Sequence, residues 1–142
     1  MKYCRINLQK TFYDYNKTHW EFIKQPNIKD LNQIYYNYCN YKKFKSVMPI
    51  FDSQYINNDV IGYYDNNKLV AFSLIQRYDL ENIENIQFAW DYNNPDLTLG
   101  LKSLEIECAV YKELGFKYFY LGSNDNYKKQ FQGYEILGEL SV

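Results

Sequence analysis

Between residues 59 and 122 the spacing of apolar and polar positions changes period twice, and the rest of the chain is read around that stretch. Val60-Ile61-Gly62-Tyr63-Tyr64 has the short apolar run of a strand. Asp65-Asn66-Asn67-Lys68 reads as a hairpin turn, because asparagine tolerates the left-handed backbone that tight turns need. Leu69 to Tyr78 is the returning strand, with Val70, Phe72 and Leu74 alternating against Ala71, Ser73 and Ile75. Asp79-Leu80-Glu81-Asn82 is a second turn, and Ile83 to Asp91 a third strand, so residues 59 to 91 predict an antiparallel meander. The period then lengthens. Leu101, Leu104, Cys108 and Tyr111 share one helical face, widened by Leu97, Ile106, Ala109 and Val110. Lys102, Ser103, Glu105, Lys112 and Glu113 are expected to face water. Gly115 stands where a C-cap glycine belongs, and Phe116 to Leu121 returns to strand, closed by Gly122. A strand, a crossover helix and a strand in that order predict parallel neighbours with a right-handed crossover.

The flanks are simpler. Residues 2 to 8 alternate as a half-buried strand. Residues 11 to 24 read as a short helix or a loop, and Pro26-Asn27 is a break. From Ile28, the positions Leu31, Ile34, Tyr35, Tyr38 and Tyr41 recur at helical spacing, predicting a helix to about Tyr41 or Phe44. Met48-Pro49-Ile50-Phe51 is an extended connector. After Gly122 come a polar loop, Ser123 to Asn126, a short helix from Tyr127 to Gln132, and a last strand from Tyr134 to Leu140. The fold class is α+β: a single domain over residues 1–142 with a central mixed sheet, meander plus parallel strand, flanked by helices.

Composition narrows the chemistry. Hydrophobic residues make up 46% and charged residues 23% of 142, which is globular rather than disordered. The 17 tyrosines fit a drift of composition or an aromatic binding surface. A net charge of −1 gives no global basic face for nucleic acid. The basic cluster Tyr41-Lys42-Lys43-Phe44-Lys45 is read as complementing a helix C-terminus, with RNA or phosphate contact as the alternative. Cys4, Cys39 and Cys108 match neither a disulfide framework nor a zinc pattern, so free thiols in a reducing cytoplasm are expected. One histidine, His19, builds no His-rich metal site. Neither a membrane span nor a signal peptide is read.

The order of elements suggests a site. Parallel neighbours that splay apart leave backbone groups needing partners, and an extended substrate arm supplies them. A helix N-terminus beside such a cleft offers free N–H groups and a positive dipole end to phosphate oxygens. That places Phe88, Ala89 and Trp90 at the strand end, with Leu99, Gly100 and Leu101 at the helix start. Gly100 permits close approach of the backbone, and Lys102 adds a charge. Asp91 accepts or orients an amine proton, or else serves as a turn aspartate. Asn124 bonds the donor arm, or else is a loop asparagine without that role.

This arrangement resembles the GNAT acyltransferase superfamily. In that superfamily the donor loop reads Arg/Gln-x-x-Gly-x-Gly/Ala, and the same six places here are Leu97-Thr98-Leu99-Gly100-Leu101-Lys102, keeping the middle glycine. A narrower resemblance is to the C-terminal catalytic domain of arginyl/leucyl-tRNA–protein transferases. It is carried in order by Lys68-Leu69-Val70-Ala71, by Phe88-Ala89-Trp90-Asp91 with Pro95-Asp96, and by Leu99-Gly100 with Ser103-Leu104. It continues through Glu113 to Gly122 and through Tyr127-Lys128, Phe131 and Glu135-Ile136-Leu137. The resemblance implies an acyl or aminoacyl transferase with no tightly bound cofactor, whose donor is aminoacyl-tRNA or acetyl-CoA. It implies an amine acceptor, either a protein N-terminus or a small amine, and tRNA as a partner. It casts Tyr127 as the acid that protonates the leaving group, and places phosphates near Lys102, Lys128 and Lys129. The alternatives are an acetyl-CoA-dependent N-acetyltransferase and a GNAT-fold binding module without catalysis.

Overall fold

In the computed structural model, described over residues 2–43 and 57–139, one seven-stranded sheet has the order β2-β3-β4-β5-β6-β1-β7. The strands are β1 (Lys2–Asn7), β2 (His19–Phe22), β3 (Asp59–Asp65), β4 (Lys68–Arg77), β5 (Asn82–Trp90), β6 (Tyr118–Ser123) and β7 (Tyr134–Glu139). The α-helices are α1 (Ile28–Lys42) and α2 (Leu99–Glu113). β5 and β6 pair in parallel, while β2/β3, β3/β4, β1/β6 and β1/β7 are antiparallel. The sheet is therefore mixed and the class α+β, with the meander β3-β4-β5 and the parallel neighbour where the sequence placed them. The parallel ladder covers three pairs, Asn82–Glu84 with Tyr118–Tyr120, although β5 has nine residues and β6 six. The residues gather into two compact units, one of Met1–Lys17, Arg77–Asn85 and Leu104–Val142, the other of Thr18–Gln76 and Ile86–Ser103.

In the second unit, α1 starts at Asn27, whose side-chain oxygen accepts from the N–H groups of Lys29 and Asp30. Its stripe Leu31, Ile34, Tyr35 and Cys39 packs on Val60, Phe72, Leu74 and Ala89. It stops at Lys43, which is left-handed (φ 58°) and donates to Asn40 O and Cys39 O. Phe44, Lys45 and the expected connector at 48–51 lie outside the described residues. β4 is buried on both faces from Val70 to Ile75, as a central strand must be. The β3–β4 turn is the hairpin the sequence predicted, with Asn66 at φ 50° and Asn67 at φ 67°. Glycine takes that conformation without a Cβ penalty. Asn67→Gly is therefore expected to raise stability by about 0.5 kcal/mol in urea denaturation, and a lower midpoint would contradict the turn geometry.

One element corrects the sequence reading. Residues 19 to 22 form β2, an edge strand on β3, rather than helix or loop. Its side chains are mostly exposed, so the ladder to β3 holds it and no alternation of buried positions announces it.

In the first unit, β1 lies between β6 and β7, pairing Ile6 with both Phe119 and Tyr134. Alternation sends Cys4, Ile6, Ile83, Phe119 and Leu121 to a buried face, where Tyr111 of α2 meets Phe119 with ring centroids 6.4 Å apart. The opposite face carries Tyr3, Arg5, Asn82, Glu84, Tyr118 and Tyr120. α2 ends as expected at Gly115, whose φ of +97° would strain any other residue. Leu101, expected on the buried face, is 38% exposed, whereas Ser103, expected to face water, is 3% exposed. The expected helix from Tyr127 is a single 3-10 turn, Asn126–Gln130.

Candidate functional site

The second unit holds a continuous segment with the makings of an anion site: the end of β5, a loop, and the first turn of α2. Asp91 N–H still bonds Val70 O at 3.0 Å, so the strand geometry persists one residue past Trp90. Ala89 and Trp90 are buried and Phe88 is half-buried. Among the described residues the buried indole N–H of Trp90 has no acceptor, an orphan donor of a kind that is uncommon in folded proteins. Tyr92 follows in the left-handed region at φ 61°, and stacks on Tyr41 with ring centroids 3.8 Å apart. Lys42 Nζ lies 5.8 Å from the same ring. The Asp91 carboxylate accepts from Asn93 N–H at 3.0 Å and from the Asn93 amide at 3.1 Å, so it organises the loop.

Thr98 closes the loop in a left-handed conformation, and its carbonyl accepts from Leu101 N–H at 3.2 Å and Lys102 N–H at 3.1 Å. That accounts for two of the first four N–H groups of α2. Leu99 and Gly100 N–H have no acceptor among the described residues. The helix therefore begins at Leu99, with Gly100 inside its first turn rather than before it. A Cβ built on Gly100 would meet nothing within 4 Å, and its backbone is not left-handed. Neither strain nor packing in the protein requires a glycine there. Lys102 is half-buried and Leu101 exposed.

On the side of this unit where α1 packs is a polar pocket of about 230 Å³. Asp91 and Asn93 line it together with Asp30, Gln33 and Asn37 of α1 and Lys68 of the hairpin. None of the three charged groups is ion-paired among the described residues.

Two predicted residues belong to the first unit. Asn124 bonds the start of β1 on both sides: its N–H donates to Lys2 O at 3.0 Å, and its side-chain oxygen accepts from Lys2 N–H at 3.1 Å. Tyr127 is 51% exposed. Desolvation, with the Asp125 charge adding to it, raises its phenol above the ordinary tyrosine value. Lys128, expected near phosphate, is buried instead. Its ammonium donates to Leu121 O at 2.9 Å and Ser123 O at 2.8 Å, and pairs with Asp125 at 3.1 Å. All three of its protons are used within the protein.

Sequence reasoning passed over Glu107. This carboxylate is fully buried on α2 and accepts from the Asn85 amide at 3.4 Å. The neighbouring Cys108 thiol is pushed well up by burial, with Glu107 adding to the shift. The signal was present: Ser103 and Glu107 are one turn apart on the helix, interrupting its apolar stripe.

Strand order and the crossover helix define a GNAT-like fold, the fold of the GCN5-related N-acetyltransferases. The C-terminal domain assigned to a lysylphosphatidylglycerol synthetase of Agrobacterium fabrum superposes with a TM-score of 0.68 at 12% identity, over 85% of this chain and 45% of that one. L-PGS from Bacillus licheniformis gives 0.66 at 17% identity over 88% and 48%. A GCN5-related N-acetyltransferase from Kribbella flavida gives 0.58 at 10% identity over 95% and 53%. The chain thus spans about half the length of these structures. No family model matches the sequence, and no curated protein does. Among the described residues no helix is long and apolar enough to cross a membrane.

Proposed function

We propose that the chain is an acyltransferase that moves an aminoacyl group from a phosphate-bearing donor such as aminoacyl-tRNA to an amine. The observation that carries this reading is the first turn of α2: the N–H groups of Leu99 and Gly100 have no acceptor among the described residues, beside a glycine that the protein itself does not need. Oriented N–H groups at a helix N-terminus bind phosphate oxygens. The aminoacyl donor is favoured by the resemblance to arginyl/leucyl-tRNA–protein transferases. It is also favoured by the structural neighbours from Agrobacterium and Bacillus, the first of which is named for joining a lysyl group to phosphatidylglycerol.

In this reading the pocket of Asp30 and Asp91 receives the acceptor, whose ammonium matches two carboxylates. Asp91 takes a proton from it, and the neutral amine attacks the acyl carbonyl carbon. Backbone N–H groups of Phe88 to Trp90 steady the oxyanion as it forms. Collapse breaks the bond to the donor oxygen, which leaves with the second proton that the attacking nitrogen sheds. The resemblance assigns the part of the acid to Tyr127, whose raised phenol value keeps it protonated at neutral pH. Turnover is expected to fall on the alkaline side as pH rises through that value. Tyr127→Phe is expected to cut turnover, abolish the alkaline limb, and leave donor affinity as it was. Unchanged turnover in this variant would remove Tyr127 as the acid.

The deciding experiment is the melting temperature with saturating donor. Aminoacyl-tRNA is expected to raise it, less so at high salt, and CoA to leave it unchanged. A shift with CoA alone would replace this reading by an acetyl-CoA-dependent N-acetyltransferase. A shift with neither would leave a binding module.

A further inference from the structure

Two features of the sequence stay outside the transferase reading: the abundance of tyrosine and the basic run at the end of α1. They meet in the second unit. Tyr38 and Tyr41, one turn apart on α1, lie against Tyr92 of the loop after β5. Their rings are within 6° and 16° of its plane, with centroids 6.1 and 3.8 Å away. Trp90 meets Tyr92 from the strand end, centroids 4.3 Å apart. Tyr41 has one face on Tyr92 and is still 61% exposed, so its other face is open to water. Lys42 Nζ stands 5.8 Å from the Tyr92 ring and 6.0 Å from the Tyr38 ring. Neither Lys42 nor Lys43 has an ion-pair partner among the described residues. We propose that this stack binds an unpaired nucleotide of an RNA, its base on the open face of Tyr41 and its phosphate at Lys42.

Core packing does not account for the stack. The buried stripe of α1 is Leu31, Ile34, Tyr35 and Cys39, and Tyr41 lies outside it although its spacing predicted the buried face. The inner end of the stack also carries costs. Tyr92 is left-handed at φ 61°, which a bulky side chain disfavours, and the buried N–H of Trp90 has no acceptor among the described residues. Strain of that kind clusters at ligand sites, where surrounding contacts hold it in place. Here it holds near-parallel rings with one end open. An unpaired base extends such a stack through its own π-face, as single-stranded nucleic acid does on aromatic side chains. Charge then selects a nucleotide over a plain aromatic. Two lysines without counterions follow Tyr41 in the chain, whereas Asp91, the neighbour of Tyr92, has both carboxylate oxygens bonded by Asn93. A duplex keeps its base faces inside and has none to offer Tyr41. That the RNA is the acyl donor rests on the transferase reading; the stacking chemistry does not.

The test is calorimetric titration of the full chain at low salt with tetra-adenylate, a single-stranded RNA, against an abasic ribose-phosphate tetramer of equal charge. Saturable binding of tetra-adenylate is expected, with the abasic tetramer weaker by about tenfold or more. Tyr41→Leu, at an exposed ring, is expected to lose about tenfold in tetra-adenylate affinity, and Tyr41→Phe, which keeps the ring, to retain it. Lys42→Gln is expected to weaken binding severalfold and to lessen its salt dependence. Absence of saturable binding up to about 1 mM, equal affinity for the abasic tetramer, or unchanged affinity in Tyr41→Leu would each overturn the assignment. Should the leucine variant not fold, an unchanged salt dependence in Lys42→Gln would do so. Melting with aminoacyl-tRNA keeps this subsite distinct from the donor reading. A stabilisation that Tyr41→Leu leaves intact removes the subsite and keeps the donor; tetra-adenylate binding lost in Tyr41→Leu, with no stabilisation by aminoacyl-tRNA, keeps the subsite and removes the donor.

Discussion

Gly100→Asp is expected to lower affinity for a phosphate-bearing donor on the order of 100-fold while leaving the fold as stable as before. The two effects separate because they rest on different partners. Within the protein, the space beside Gly100 is empty to 4 Å and its backbone is not left-handed, so a side chain fits. Replacing glycine near a helix start recovers backbone entropy, and an acidic group there suits the helix dipole, each worth about 0.5 kcal/mol. Toward a donor, both features reverse sign. The carboxylate occupies the space that phosphate would need, offers its own oxygens to the N–H groups of Leu99 and Gly100, and repels the ligand. Gly100→Ala, which adds bulk without charge, is expected to fall between. Urea denaturation and donor titration of the same preparations measure the two halves. Donor affinity unchanged in the aspartate variant would sink the phosphate reading of this helix end, whatever the activity of the chain.

Lys128→Met is expected to destabilise the fold by about 3 kcal/mol, read as a lowered urea midpoint. The lysine is 8% exposed, and its ammonium answers two carbonyls at the end of β6 and one carboxylate. Methionine fills the volume of the side chain but leaves Leu121 O and Ser123 O without that donor, and the Asp125 carboxylate without its ion pair. The neighbouring Lys129 is exposed, so Lys129→Met is expected to change stability by no more than about 0.5 kcal/mol. If the two variants were equally harmless, Lys128 would have to be a surface group open to a ligand, as its sequence context first suggested.

The site was legible in part. The strand end, the glycine and the helix start are contiguous in the chain, so periodicity and one turn residue sufficed to align Phe88 to Trp90 with Leu99 to Lys102. What periodicity does not carry is the state of each polar group. Asn124 ties down β1, and Lys128 is consumed by β6 and Asp125, yet both read in sequence as loop residues open to a ligand. The pocket of Asp30 and Asp91 joins residues some sixty positions apart, from the first turn of α1 and the end of β5. Glu107 was passed over because a glutamate on a helix is usually solvated. Its register with Ser103 was the one available clue.

By itself the sequence determined the local elements: the Asn66-Asn67 hairpin, the Asn27 and Gly115 helix ends, the meander, and the α2 crossover to a parallel strand. Each depends on neighbours within a few residues, through backbone conformations that asparagine and glycine allow and through a repeating apolar face. Only the tertiary structure decided that β1 lies between β6 and β7, that residues 19 to 22 form an edge strand, and that Lys128, Ser103 and Glu107 are buried. Those outcomes depend on which backbone edges and carbonyls are left to be satisfied after distant segments meet. That information lies in no window of the chain, because unsatisfied hydrogen-bonding groups become costly only once burial has removed the water that served them.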